Sequence, residues 1–266
     1  NGFANEALWP LCHTAHVKPV FREADWNAYR EVNRRFAQAA ARDASSLIFV
    51  QDYHFALVPR EIRSAAPEAV IGLFWHIPWP NAEMFAICPW KEDLLDGLLG
   101  ADILGFHTDS YRRNFLECAS QFIDCQVDAA ASSIVYRGHR TLLRTYPISV
   151  EWPYQGPSRD DGARLRKELN IPRDVHVSVG VDRSDYTKGL VERMRAVEVL
   201  LQRNPQLIGK YVLMQLAAPS RQDIVRYRQL MDEVRTAVDR VNRRFETRSW
   251  QPIVLKVESI PPEEVK

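Results

Sequence analysis

Arg183 and Lys188 stand five residues apart in the stretch VGVDRSDYTKG (179–189), where an apolar run meets a helical pattern. A strand end followed by a helix start already favours an anion, because free backbone N–H groups and the positive end of the helix dipole converge there. An arginine can grip two phosphate oxygens at once and a lysine adds a point charge, so the natural guest of the pair is a diphosphate. The competing reading is a solvated ion-pair cluster with Asp182 and Asp185. Arg221, in LAAPSRQDI (216–224), sits at the start of the next helical pattern and would suit a second phosphate. Ser220 with Asp223 three residues on reads there as a capping box.

Two further stretches put polar side chains directly after apolar runs. In VQDYHFALVPR (50–60), Asp52 with His54 can bind sugar hydroxyls or move protons, and Asp52 can equally cap the helix starting near Phe55. In LFWHIPWPNAEMF (73–85), His76 ends a strand-like run, two prolines then hold the chain extended, and Trp79 is expected near the rim. Rings beside His and Asp suit sugars, whose CH faces stack while their hydroxyls take polar partners. A packed loop with His76 on a backbone carbonyl is the plainer alternative. Trp9, in NEALWPLCH, is a core anchor or a sugar platform, and the pattern does not separate the two.

The elements that must carry these residues alternate between strand-like runs and amphipathic helices, the pattern of a parallel α/β sheet. Strands are expected at Ser46–Val50, Ala69–Trp75, Asp102–Phe106, His176–Val181, Tyr211–Gln215 and Ile253–Val257. Helices are expected at Trp26–Ala41, Thr108–Gln121 and Arg164–Asn170, with a hairpin at Ser132–Arg144. A helix through LVERMRAVEVLLQRN places Leu190, Met194, Val197, Leu200 and Leu201 on one face, capped by Asp185 or Thr187. Ile224, Tyr227, Leu230, Met231, Val234, Val238, Val241 and Phe245 form the core stripe of another. Pro153, Gly156 and Pro157 break the rhythm, which sets two α/β domains at 1–152 and 153–266. Ligands in such folds bind at the carboxyl ends of the strands.

Composition narrows the function classes. The 266 residues are 46% apolar and 26% charged with a net charge of +1, which argues against broad nucleic-acid or anionic-membrane binding. Only 11 glycines occur, and neither G-x-G-x-x-G nor the P-loop pattern appears, so side chains must do much of any phosphate holding. Cys12, Cys88, Cys118 and Cys125 show no metal-binding spacing and read as reduced thiols of a cytoplasmic protein. No apolar run approaches a membrane span and no signal segment is visible. The chain starts without Met and stops at SIPPEEVK, and so reads as a piece of something longer.

Taken together, NEALWPLCH, QDYHFALVPR, FWHIPWPNAEMF, LLGADILGFHT, YPISVEW, DRSDYTKGL and QLAAPSR run in order across the whole chain. In this it resembles the retaining glycosyltransferases of family 20, the family of the trehalose-6-phosphate synthases. The resemblance implies the GT-B fold, two Rossmann-like α/β domains facing a cleft, with an acceptor-side first domain and a nucleotide-sugar-binding second one. It implies glucose transfer from UDP-glucose to glucose 6-phosphate without cofactor or metal. Arg183 and Lys188 would hold the donor diphosphate and Arg221 the acceptor phosphate. Asp52 and His76 would contact sugars, with Asp52 and Trp9 on the acceptor side. Trp9 and Ile77 match positions shaping the acceptor pocket and the anomeric outcome. The departing phosphate would take the acceptor proton on the same face, so no carboxylate nucleophile is needed. Two positions depart from the family: Ser184, where an apolar residue is expected, and Gln51, where many members carry His. A related enzyme with another acceptor, such as glycerol 3-phosphate, and a catalytically silent sugar-phosphate sensor remain alternatives, and a homo-oligomer remains open.

Overall fold

A computed structural model describes residues 2–15, 17–42, 47–150, 152, 159–168, 171–259 and 261. The chain divides into two compact units, Asn1–Val150 and Glu151–Lys266. The stretch 153–158 that carries Pro153, Gly156 and Pro157, and the end of the chain from 262, lie outside the described residues.

The first unit is built on β1 (Leu47–Gln51), β2 (Val70–Trp75), β3 (Ile103–Phe106), β4 (Gln126–Asp128), β5 (Ser133–Tyr136) and β6 (His139–Thr145), in the spatial order β1-β2-β3-β6-β5-β4. β1, β2, β3 and β6 run parallel; β5 and β4 return antiparallel at one edge. The hairpin expected at Ser132–Arg144 is formed by β5 and β6. The RGH turn forces the reversal: Arg137 and Gly138 both take positive φ, 48° and 78°, as a two-residue hairpin loop requires. Along β2, Ile71, Leu73 and Trp75 point into the core, each 1% exposed or less, while intervening residues face the other side. Helices Val58–Ala65, Lys91–Leu98 and Asp109–Phe122 bury Ile62, Leu94, Leu95, Leu98 and Phe115. Each such side chain contributes roughly 1.5–3 kcal/mol through area removed from water. Thr108 caps the last of these helices by accepting the Tyr111 N–H at 3.3 Å.

The second unit holds three parallel strands in chain order, β7 (His176–Arg183), β8 (Tyr211–Ala218) and β9 (Ile253–Lys256). Helices Leu190–Arg203 and Val225–Phe245 supply the core with Leu190, Met194, Val197, Leu201, Leu230, Val234 and Val241, against Leu213 and Ile253. The expected helix at 164–170 spans Arg159–Glu168, with 169–170 outside the described residues.

Two expected caps differ. Asp185 caps the short 3₁₀ turn Tyr186–Lys188, not the long helix, which starts after Gly189 at φ 62°. Ser220 does not cap the helix after β8. That helix begins at Val225, because Arg221 takes a left-handed φ of 47° and Ile224 N–H closes a turn onto its carbonyl.

Candidate functional site

In the first unit the site residues gather at the carboxyl ends of β1 and β2. Asp52 follows β1 with φ 71° and ψ 173°, a region essentially reserved for glycine. Its N–H and carboxylate make three bonds that hold it there. Its N–H donates to Phe74 O at 2.8 Å, and its Oδ1 accepts the N–H of Tyr53 at 2.8 Å and of His76 at 3.1 Å. The capping alternative for Asp52 is therefore realised on a 3₁₀ turn, Tyr53–Phe55. Both capping bonds fall on Oδ1, which leaves Oδ2 for a hydroxyl.

His76 is exposed, its Nε2 2.6 Å from Gln51 Oε1 instead of on a backbone carbonyl. Its ring lies 4.6 Å from that of Phe74 and 5.5 Å from that of His107. Gln51, singled out as a departure from the family, is thus the partner that orients the imidazole. His107 was not singled out by sequence reasoning; its Nδ1 is buried without a hydrogen-bond partner among the described residues. Its signal was its place at the end of β3, the strand next to His76.

Ile77 and Trp9 are buried, at 4% and 7% exposure. Trp9 sits in the helix Trp9–Cys12, its ring 4.0 Å from His13 and 5.8 Å from Tyr53. Tyr53 in turn donates its hydroxyl to Asn5 Oδ1 at 2.9 Å. Trp79 is not at a rim: it is 1% exposed, ringed by Trp75, Phe85 and Phe115, and its Nε1 donates to Cys118 Sγ at 3.3 Å. A large apolar ring gains more in the core than at the edge.

In the second unit Arg183 ends β7 and Lys188 ends the 3₁₀ turn, both exposed. The expected alternative, a cluster with Asp182 and Asp185, does not form. Asp182 Oδ2 instead pairs with Arg193 Nη1 at 2.6 Å. Asp185, fully buried, accepts Thr187 N–H at 3.0 Å and Thr187 Oγ1 at 2.9 Å, and faces Arg221 Nη1 at 3.6 Å. Among the described residues neither Arg183 nor Lys188 forms an ion pair.

Arg221 also donates to Tyr227 Oη at 2.5 Å and lies over the Tyr227 ring at 5.5 Å. Tyr227 Oη donates in turn to Asp185 Oδ2 at 3.3 Å. Burial, then the Asp185 charge, push the Tyr227 hydroxyl above its ordinary pKa, and burial does the same for Tyr186. Both phenols stay neutral donors at ordinary pH. Next to this group a cavity of about 270 Å³ is lined by Ser184, Ser220, Gln222, Tyr227 and Arg228. Ser184 is 2% exposed, consistent with a position where an apolar residue was expected, and its Oγ has no partner among the described residues.

A relative, the alpha,alpha-trehalose-phosphate synthase (UDP-forming) of Candida albicans, is 37% identical over 274 residues, covering 100% of this chain and 57% of its own length. A solved structure from E. coli, described as trehalose-6-phosphate bound with UDP-2-fluoro glucose, superposes with a TM-score of 0.89 at 31% identity, over 100% of this chain and 60% of that one. An alpha,alpha-trehalose-phosphate synthase (UDP-forming) from Burkholderia xenovorans in complex with glucose-6-phosphate gives 0.88 at 28% identity, over 99% and 60%. The chain therefore spans somewhat over half the length of these proteins. Its α/β architecture, of GT-B type, is the part of their fold that it covers. With the model of glycosyltransferase family 20 matching residues 1–266, the chain belongs to that family.

Proposed function

We propose that the protein transfers glucose from UDP-glucose to glucose 6-phosphate with retention, giving trehalose 6-phosphate and UDP. The observation that carries this reading is the pair of unneutralised cations, Arg183 and Lys188, at the carboxyl end of β7 in a member of glycosyltransferase family 20. Two carboxylates stand within two residues of Arg183, and both are engaged elsewhere. A positive site kept open in this way stabilises charge that develops on a diphosphate as it leaves glucose. In the reaction the bond from the glucose anomeric carbon to the diphosphate oxygen breaks and one to the acceptor oxygen forms. The acceptor proton passes to the departing phosphate on the same face.

The remaining roles follow the same reading. Arg221 binds the acceptor phosphate. Asp52 Oδ2 and the His76 ring contact sugar hydroxyls, and Trp9 and Ile77 shape the acceptor pocket and the anomeric outcome from behind. Residues 1–152 form the acceptor side and 153–266 the nucleotide-sugar side. No helix among the described residues is long and apolar enough to cross a membrane, and the four cysteines are free, which suits a reducing compartment such as the cytoplasm. UDP release by the complete protein from UDP-glucose, with glucose 6-phosphate and glycerol 3-phosphate as competing acceptors, tests the proposal. Release that depends on glucose 6-phosphate supports it. Release only with another acceptor, or binding of glucose 6-phosphate without turnover, overturns it in favour of a related transferase or a silent sensor.

A further inference from the structure

Resting on the donor-diphosphate reading above, we propose that Arg193 is a positioning residue that keeps the charge of Arg183 and Lys188 uncompensated by pairing with and neutralising Asp182. Arg193 lies on the first turn of the helix Leu190–Arg203, its N–H bonded to Gly189 O at 2.9 Å. Its Nη1 meets Asp182 Oδ2 at 2.6 Å and Gln215 Oε1 at 2.5 Å, and its Nη2 reaches Lys188 O at 3.5 Å. Gln215 is fully buried on β8, and its Nε2 donates to Gly180 O at 3.2 Å and Leu216 O at 3.0 Å, with Asp182 Oδ2 at 3.4 Å.

The backbone is shaped for this clamp. Gly180 is the register partner of Gln215 across β7 and β8. A Cβ at Gly180 would collide with Gln215 Oε1 and Arg193 Nη1, so the glycine makes room for both. Along β7, Asp182 and Arg183 point to opposite faces. Arg193 thus fixes the one carboxylate that neighbours Arg183 directly, on the far face, and neutralises it there. The same guanidinium touches the carbonyl of Lys188 and so ties the turn that carries the second cation. Without Arg193, Asp182 would keep only the Gln215 Nε2 contact at 3.4 Å, and its uncompensated negative charge would weaken the positive potential that Arg183 and Lys188 offer the diphosphate.

The test uses the complete protein with Arg193→Met, Arg193→Lys and the double variant Arg193→Met/Asp182→Asn. The readouts are KM for UDP-glucose, KM for glucose 6-phosphate, inhibition by UDP, and thermal melting. Arg193→Met is expected to raise KM for UDP-glucose and weaken UDP inhibition about tenfold, with KM for glucose 6-phosphate within twofold. Adding Asp182→Asn should bring both donor values back to within threefold of the parent. Arg193→Lys, which keeps the charge, should fall between. A merely structural role would lower the melting temperature and raise both KM values alike, without donor-specific rescue, and that result overturns the proposal. Should Arg193→Met fail to fold, the lysine and double variants carry the same comparison. If the parent protein neither turns over nor binds UDP, the donor-site reading itself fails. If Arg183→Ala abolishes UDP binding while the Arg193 variants leave it unchanged, only this inference fails.

Discussion

The carboxylate of Asp52 accepts the backbone N–H of His76 at 3.1 Å, across 24 residues of chain. That bond ties the end of β1 to the end of β2 and sets two candidate sugar-binding side chains side by side. It is made from a backbone conformation that a residue with a side chain rarely adopts, φ 71° and ψ 173°. Strain of this kind costs of order 1–3 kcal/mol and persists where the surroundings over-determine it.

Replacing Asp52 separates the strain from the chemistry. Asp52→Gly and Asp52→Ala both lose the carboxylate, so both should lose most of the transferase activity. Asp52→Gly should nevertheless be about 1–2 kcal/mol more stable than Asp52→Ala, because only glycine adopts this conformation freely. Urea titration of the two variants checks the difference, and equal midpoints would contradict it.

Arg221 faces a carboxylate with no access to water. Removing it as Arg221→Ala leaves Asp185 on Thr187 and Tyr227 alone, which should cost about 3 kcal/mol, the typical penalty for breaking a buried pair. Adding Asp185→Asn should recover part of that loss in a denaturant melt. KM for glucose 6-phosphate should rise in both variants, since neither can hold the acceptor phosphate through Arg221.

Ser184 offers a change in the opposite direction. Its hydroxyl is buried without a hydrogen-bond partner among the described residues, at a cost of about 1–3 kcal/mol. Ser184→Ala should therefore raise stability by about 1 kcal/mol. A denaturation midpoint that falls would show that the hydroxyl makes a bond.

The buried thiols give a pH dependence. Burial pushes Cys88 and Cys118 up to about 12 from an ordinary value of 9.0, and raises Cys12 as well. The folded state thus holds these protons more tightly than the unfolded state. The stability they contribute is fully present below pH 9 and is lost as pH rises from about 9 towards 12. Unfolding followed between pH 8 and pH 11 should show stability falling across that window. Alkylation at pH 8 should label Cys125 first, since it alone among the four is partly exposed.

Much of this was legible in the sequence because it is local. β2, β3, β7, β8 and β9 fall within a few residues of their apolar runs, and the stripe Tyr227, Leu230, Met231, Val234, Val238 and Val241 is buried as its helical spacing requires. The placement of Arg183 and Lys188 at a strand end and before a helix was equally readable. What was not readable depends on pairing across the sheet. Gln215 reads as one polar residue in an apolar run until β8 lies beside β7, when Gly180 opens the space that Gln215 and Arg193 fill. The same holds for Trp79, whose neighbours Phe106 and Phe115 lie on a later strand and helix. The false cap at Ser220 arose because its motif is satisfied in sequence while Arg221 turns left-handed after it.

Donor binding rests on the two exposed cations after β7, and UDP binding by the complete protein measures them most directly. Arg183→Ala and Lys188→Ala remove exposed side chains without ion pairs among the described residues, so each should melt within about 0.5 kcal/mol of the parent. Each should weaken UDP binding and lower the rate of UDP release roughly 10²–10³-fold, the cost of losing one preorganised charge at a leaving group. Unchanged UDP affinity and turnover in the folded double variant Arg183→Ala/Lys188→Ala would contradict the account.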